Sequence, residues 1–230
     1  MLNSIEVELN ERVLEKVQGK RVALVGPAPT LIDSNLGEQI DSYDIVCRMN
    51  RGCTVPEELQ KDYGSRCDIF FHNRKKIEDY QRLDEFAKNE NGIILLTGHS
   101  ENQPGFVESV NNHGFFFDKN ILVMDGVLRH KIDRILNKRF IVNKRIRAKA
   151  NIGTIALIYL LKHCVSELFL CGFSFYRTDK KYYDDYIYVK IKNKHHQPSQ
   201  IEFIKKIYEE NEGTIILDEF ITNLFYKKLD

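Results

Sequence analysis

Arg21-Val22-Ala23-Leu24-Val25-Gly26-Pro27-Ala28-Pro29-Thr30 opens on a short apolar run and closes on a Gly/Pro turn. An unbroken apolar run of this length reads as a strand buried on both faces, the habit of a parallel sheet. The glycine and the two prolines end it. The same layout recurs downstream, at residues 44–47, 67–71, 92–97, 121–124 and 168–171, and more weakly at 214–217. Helical patterns fill the intervals at 77–87, 127–136, 155–161 and 201–208, and in the last of these Ile201, Ile204 and Ile207 share one face. Apolar strands alternating with helices predict a single doubly wound, Rossmann-like α/β domain, with a mainly parallel sheet and helices on both faces. Ligands of such sheets bind at the carboxyl ends of the strands, near a switch point.

Composition narrows the reading. The chain has 230 residues, 43% of them hydrophobic and 29% charged, an ordinary globular balance that excludes wholesale disorder. Lys and Arg total 34 against 33 Asp and Glu, so net charge points to no nucleic-acid partner and any basic surface is local. No apolar run approaches the ~20 residues of a membrane span. The acidic first residues lack the layout of a signal peptide. Five cysteines without CxxC spacing argue against a zinc site and a disulfide framework, and fit reduced thiols in a cytoplasmic protein.

The strand ends hold the candidate chemistry. Gly26, Ala28 and Thr30 follow the first strand, where glycine lets a phosphate or ribose approach the backbone; a plain tight turn reads the same way. The turn is neither GxGxxG nor a P-loop, which counts against the usual dinucleotide and ATP sites. Asn50 and Asn73 follow the next two strands as amide donors and acceptors for a nucleotide, or as turn formers. Asn151, after Lys149, is placed to cap an apolar helix whose first amides, at Ile152 and Gly153, suit a phosphate. Gly172, Phe173, Ser174 and Phe175 close a later strand. Tyr176 and a tyrosine-rich stretch with Tyr182 follow, then His195-His196. Phenols hold a leaving phosphate without carrying charge, and an imidazole takes a proton near neutrality; a solvated loop is the plainer reading. Residues 129–149 carry nine Lys or Arg against one Asp, suited to a phosphate, an acidic polysaccharide, anionic lipid or RNA, or to a solvated face.

Taken together, these residues form a family pattern. The chain resembles the sialyltransferases of glycosyltransferase families 29 and 42, the bacterial enzymes above all, over residues 20–217. Residues 22–26 and 37–50, continued at 63–68, are similar to the large sialyl motif. Residues 152–157 through Cys164 to Phe173 are similar to the small one. Tyr182-Tyr183-Asp184 resembles the short third motif, and His195 with the Ile201 repeat the last.

The resemblance implies a GT-A-like sialyltransferase variant that transfers a sugar from a CMP donor with inversion and requires no metal or other cofactor. His195, or its neighbour His196, would be the base that deprotonates the acceptor hydroxyl; the spacing to Ile201, Ile204 and Ile207 favours His195. Tyr176 and Tyr182 would bond the departing phosphate. Asn50 and Asn73 would hold the nucleotide, residues 151–153 would offer amides to the CMP, and Gly172 to Phe175 would line cytosine and ribose. The implied layout is one domain over 1–230. It has an N-terminal helix over 1–19, a nucleotide-binding core over 20–175, an active-site loop or lid over 176–200 and a helix–strand–helix over 201–230.

Departures from the pattern are Pro27 for an Asn, Lys149 for an Arg, Asn151-Ile152 for a small hydroxyl pair and Ser174 for an acidic residue. They bear on the donor sugar, sialic acid or another CMP-linked acid sugar such as Kdo or a related nonulosonate, more than on the CMP. The expected partners are the CMP-sugar and a glycan or lipid-linked glycan acceptor, with a peripheral inner-membrane contact through residues 129–149. A non-catalytic nucleotide- or polyanion-binding module, and another doubly wound enzyme using NAD or S-adenosylmethionine, are the competing readings.

Overall fold

The computed structural model describes residues 1–72, 92–97, 121–124, 126–141, 147–178 and 196–227. Seven strands form one sheet: β1 (Arg21–Val25), β2 (Ile45–Met49), β3 (Ile69–His72), β4 (Ile93–Thr97), β5 (Ile121–Met124), β6 (Glu167–Cys171) and β7 (Ile215–Leu217). Their order is β5-β4-β3-β2-β1-β6-β7 and every neighbouring pair is parallel. The chain winds outward from β1 to β5, then returns to lay β6 against the other side of β1. The switch point therefore falls between β1 and β6, where Val25 pairs with Cys171.

Side-chain alternation shows why these strands are apolar throughout. Val22 and Leu24 of β1, with Leu168 and Leu170 of β6, enter the larger core. Ala23, Val25, Phe169 and Cys171, between them in sequence, enter a second core on the opposite face. The larger core is covered by α1 (Glu11–Val17), α4 (Gly126–Arg139), α5 (Ile152–Lys162), α6 (Gln197–Glu210) and α7 (Glu219–Tyr226). The other face receives Ile40 of α2 (Gly37–Asp41) and Tyr63 of α3 (Gln60–Tyr63). Helix α5 is buried without a break from Gly153 to Leu160, so no polar face survives in its sequence.

The observed strands lie within two residues of those expected. Strand β2 runs on to Met49 because Arg48, which looks like a strand end, is buried with its charge placed on backbone: Nε donates to the Arg66 carbonyl at 2.6 Å and Nη2 to that of Tyr63 at 2.7 Å. Helix α6 starts at Gln197, before the isoleucine repeat, with His196 as its cap. The helix expected at 77–87 lies outside the described residues. Among those residues no helix is long and apolar enough to cross a membrane.

Candidate active site

The switch point is built on two glycines. The Gly26 N–H donates to the Cys171 carbonyl at 2.8 Å, and that of Ala28 to the Gly172 carbonyl at 3.0 Å, so the turns after β1 and β6 are stitched together. A Cβ on Gly26 would lie 2.3 Å from the Gly172 oxygen, and one on Gly172 2.3 Å from the Gly26 oxygen. Only glycines let the two backbones meet here. The phenol of Tyr63 donates to the Ala28 carbonyl at 2.6 Å and holds the first turn from the second core.

A crevice of about 720 Å³ of atom-free space, part of it open to solvent, lies at these strand ends. The β1 turn contributes Pro27 and Ala28; the end of β2 contributes Met49 and Asn50. The segment after β6 contributes Gly172, Phe173, Ser174, Phe175 and Tyr176. Asn151, Ile152 and Gly153 come from the start of α5, and Arg129 from α4. Of the residues singled out in the sequence, Ala28, Asn50, Asn151, Ile152, Gly153 and residues 172–176 thus meet around one space. Gly26 sits behind it as the backbone pair of Gly172.

Thr30 is not among the lining residues; its hydroxyl is buried without a protein partner. Lys149 is exposed and also off the lining; its carbonyl accepts from Gln200 Nε2 at 2.7 Å. Asn73, Tyr182 and His195 lie outside the described residues.

The α5 terminus presents donors. Asn151 Oδ1 accepts the Thr154 N–H at 2.8 Å, which caps the helix. The amides of Ile152 and Gly153, in the first turn, have no preceding helical carbonyl to bond, and the helix dipole makes this end positive. A phosphate in the crevice meets both effects at once.

The backbone around the crevice is held in costly conformations. Asn50, Phe175 and Tyr176 have φ of 47°, 49° and 63°. Asn tolerates this region, whereas each aromatic costs on the order of 1–3 kcal/mol that its surroundings must offset. The Arg177 N–H donates to the Ser174 carbonyl at 2.9 Å, and Gln197 Nε2 to that of Tyr176 at 2.9 Å. Phe175 is anchored in the larger core.

Several side chains support the site without lining the crevice. Gln200 Oε1 accepts the Thr154 hydroxyl at 2.8 Å, so the first turn of α6 is tied to the first turn of α5. His196 caps α6, with Nδ1 facing the Ser199 N–H at 3.4 Å. Asp218, the α7 cap, accepts the Gly172 N–H at 2.8 Å. Burial pushes the Asp218 carboxyl up to about 6, against the pull of its backbone donors.

Arg129 belongs to the stretch read as a basic surface, yet it is only 7% exposed and faces the crevice. Burial lowers its pKa, opposed by Asp133. Its signal was the spacing with Ile132 and Leu136, which puts residue 129 on the buried face of α4.

Comparisons with known proteins agree with this geometry. The family model described as glycosyltransferase family 29 (sialyltransferase) matches residues 1–212. A human type 2 lactosamine alpha-2,3-sialyltransferase is 23% identical over 219 residues, 86% of this chain. The chain spans 64% of the length of that relative. Among solved structures, the monofunctional alpha-2,3-sialyltransferase Cst-I of Campylobacter jejuni superposes with a TM-score of 0.60 at 16% identity, covering 96% of this chain and 82% of its own. The sialyltransferase CstII of the same organism, in complex with cytidine-5'-monophosphate, gives 0.55 at 17% identity over 90% and 84%. The fold is that of these enzymes.

Proposed function

Since the chain belongs to glycosyltransferase family 29, the sialyltransferases, we propose that it transfers sialic acid, or a related acid sugar, from a CMP donor to a glycan hydroxyl. One observation carries the reading: the switch-point crevice unites a positive helix end, a glycine-pinched floor and paired aromatics. That combination suits a nucleoside monophosphate. Phe173 and Phe175, with ring centroids 6.2 Å apart, offer apolar faces to cytosine and ribose. The first amides of α5 and the Tyr176 phenol take the phosphate.

In the step itself, the acceptor oxygen attacks the anomeric carbon, the bond from that carbon to the phosphate oxygen breaks, and CMP departs with the bonding pair. The configuration inverts. The acceptor proton passes to His195, whose chain neighbour His196 caps the helix tied to Tyr176 through Gln197 and to α5 through Gln200. A positioned base of this kind contributes typically 10²–10⁴-fold. The protein's own donors and helix dipole carry the leaving charge, so the reaction is metal-independent in this reading. Five free thiols support a cytoplasmic setting. Arg134, Lys138, Arg139, Arg147 and Lys149 are exposed, which supports an acidic glycan or an anionic inner-membrane face nearby.

The test is CMP release by the purified protein from CMP-Neu5Ac and CMP-Kdo, over acceptors that include type 2 lactosamine, with and without EDTA. His195→Ala should abolish release while CMP still binds. Wild-type protein that binds CMP yet turns over neither donor would make the chain a binding module, and loss of turnover in EDTA would overturn the metal-free mechanism.

A further inference from the structure

Among the described residues two arginines on or beside the sheet are buried, and they are built differently. Arg48 spends both ends of its guanidinium on carbonyls, at 2.6 and 2.7 Å, and is not among the residues that line the crevice. Arg129 donates from Nη1 to the Ala150 carbonyl at 3.1 Å and lines the crevice with Asn50, Asn151 and Tyr176. The carboxylate that would neutralise it, Asp133 one turn along α4, has Oδ1 bonded to the Ala150 N–H at 2.6 Å. Positions 129 and 133 thereby clamp Ala150, the residue before the α5 cap, from both sides. The clamp uses one edge of a planar group with five N–H donors. Where Arg48 spreads its donors over two carbonyls away from the crevice, Arg129 places one on Ala150 and holds the rest of its guanidinium at the crevice wall.

We propose, on the premise of the CMP-sugar reading, that Arg129 binds an oxyanion of the donor, and that where this oxyanion is the sugar carboxylate the residue selects CMP-linked acid sugars. Two groups on a bound donor share that chemistry, the CMP phosphate and the carboxylate of the acid sugar, and both flank the anomeric carbon. The planar fork suits either one bidentately. Its place beside the α5 terminus adds a full positive charge to the partial charge of the helix end. A neutral sugar would leave the fork unsatisfied if the carboxylate is its partner.

A ladder of three ligands reads this out by calorimetry: cytidine, CMP, and a non-transferable 3-fluoro analogue of CMP-Neu5Ac. Arg129→Gln keeps a donor for Ala150 and removes the charge. Loss of a charge-assisted bond should weaken the analogue about 10- to 100-fold, with cytidine unchanged. A matching loss for CMP assigns the fork to the phosphate; intact CMP binding assigns it to the carboxylate. Asp133→Ala breaks the other half of the clamp and keeps the charge in the crevice, so its ladder should follow the wild type. Equal affinities for Arg129→Gln and wild type at every rung overturn the assignment, as does the same loss in Asp133→Ala. Should Arg129→Gln not fold, Arg129→Lys is read on the same ladder, where a three- to tenfold loss at an anionic rung supports the assignment and none overturns it. Wild-type protein that binds none of the three overturns the CMP-sugar reading itself, and Arg129 with it.

Discussion

Asp218 joins the last described helix to the switch point: one carboxylate oxygen accepts the Gly172 N–H at 2.8 Å and the other the Ile221 N–H at 2.7 Å. The first bond holds the left-handed turn of Gly172, φ 73°, against Gly26; the second caps α7. Asp218→Ala removes a cap, worth about 1 kcal/mol, and strands a buried N–H, worth about 1–3 kcal/mol. A loss of about 2–4 kcal/mol in denaturant unfolding is expected, with weaker CMP binding in the protein that remains folded. Full CMP affinity in the folded variant would separate the turn from the site.

Gly153 tests the site from the opposite wall. A Cβ there would lie 2.4 Å from Cε1 of Phe173, the far end of a movable ring. Gly153→Ala should therefore swing that ring into the crevice rather than break the helix, where alanine is the better helix former by about 1 kcal/mol. Thermal stability should change little while CMP affinity falls at least tenfold. Unaltered CMP binding would place the nucleotide elsewhere than between α5 and Phe173.

The sheet was legible because its buried parallel strands are mostly apolar on both faces, and both cores draw on alternate residues of the same runs. Arg48 hid the end of β2, since its charge is answered by carbonyls from residues 63 and 66 that no local pattern reveals. The same cause hid the supports of the site. Gln200 reads as a polar interruption before Ile201, and only folding brings it to Thr154, 46 positions earlier in the chain. Asp218 reads as an ordinary cap until Gly172 arrives. Arg129 was submerged in a cationic stretch whose charges look alike, although Lys149 at its other end is exposed and Arg129 is buried.

Gln197 links the strained Tyr176 carbonyl to the first turn of α6 at 2.9 Å, the turn that follows the proposed base at 195. Gln197→Ala should leave CMP binding within about threefold and lower kcat about tenfold, because geometry between phenol and base loosens while the nucleotide walls stay in place. Steady-state kinetics beside CMP titration separates the two quantities. An unchanged kcat would show that this tie does not position the reacting groups.

His163 gives the fold a pH signature distinct from catalysis. Its ring is fully buried, with Nδ1 2.8 Å from the Tyr159 carbonyl and Nε2 accepting the Asn10 N–H at 3.1 Å, so the neutral Nδ1–H tautomer closes the end of α5 onto the start of α1. Burial lowers its pKa below 6.5, outweighing the Tyr159 carbonyl, which favours the charged form. As pH falls below 6.5 the unfolded chain takes up this proton first, so stability is lost until the folded ring titrates as well. Asp218 runs the other way: its carboxyl sits at about 6 when folded against 3.8 in the unfolded chain, so its contribution is lost as pH rises from about 4 through 6. His163→Gln can keep both bonds without titrating, and Asp218→Asn removes the opposing carboxyl. In the Asp218→Asn background, unfolding free energy should fall between pH 6.5 and 5 by more in the protein that retains His163 than in the double variant. Parallel curves for the two proteins would mean that His163 carries no proton linkage to folding.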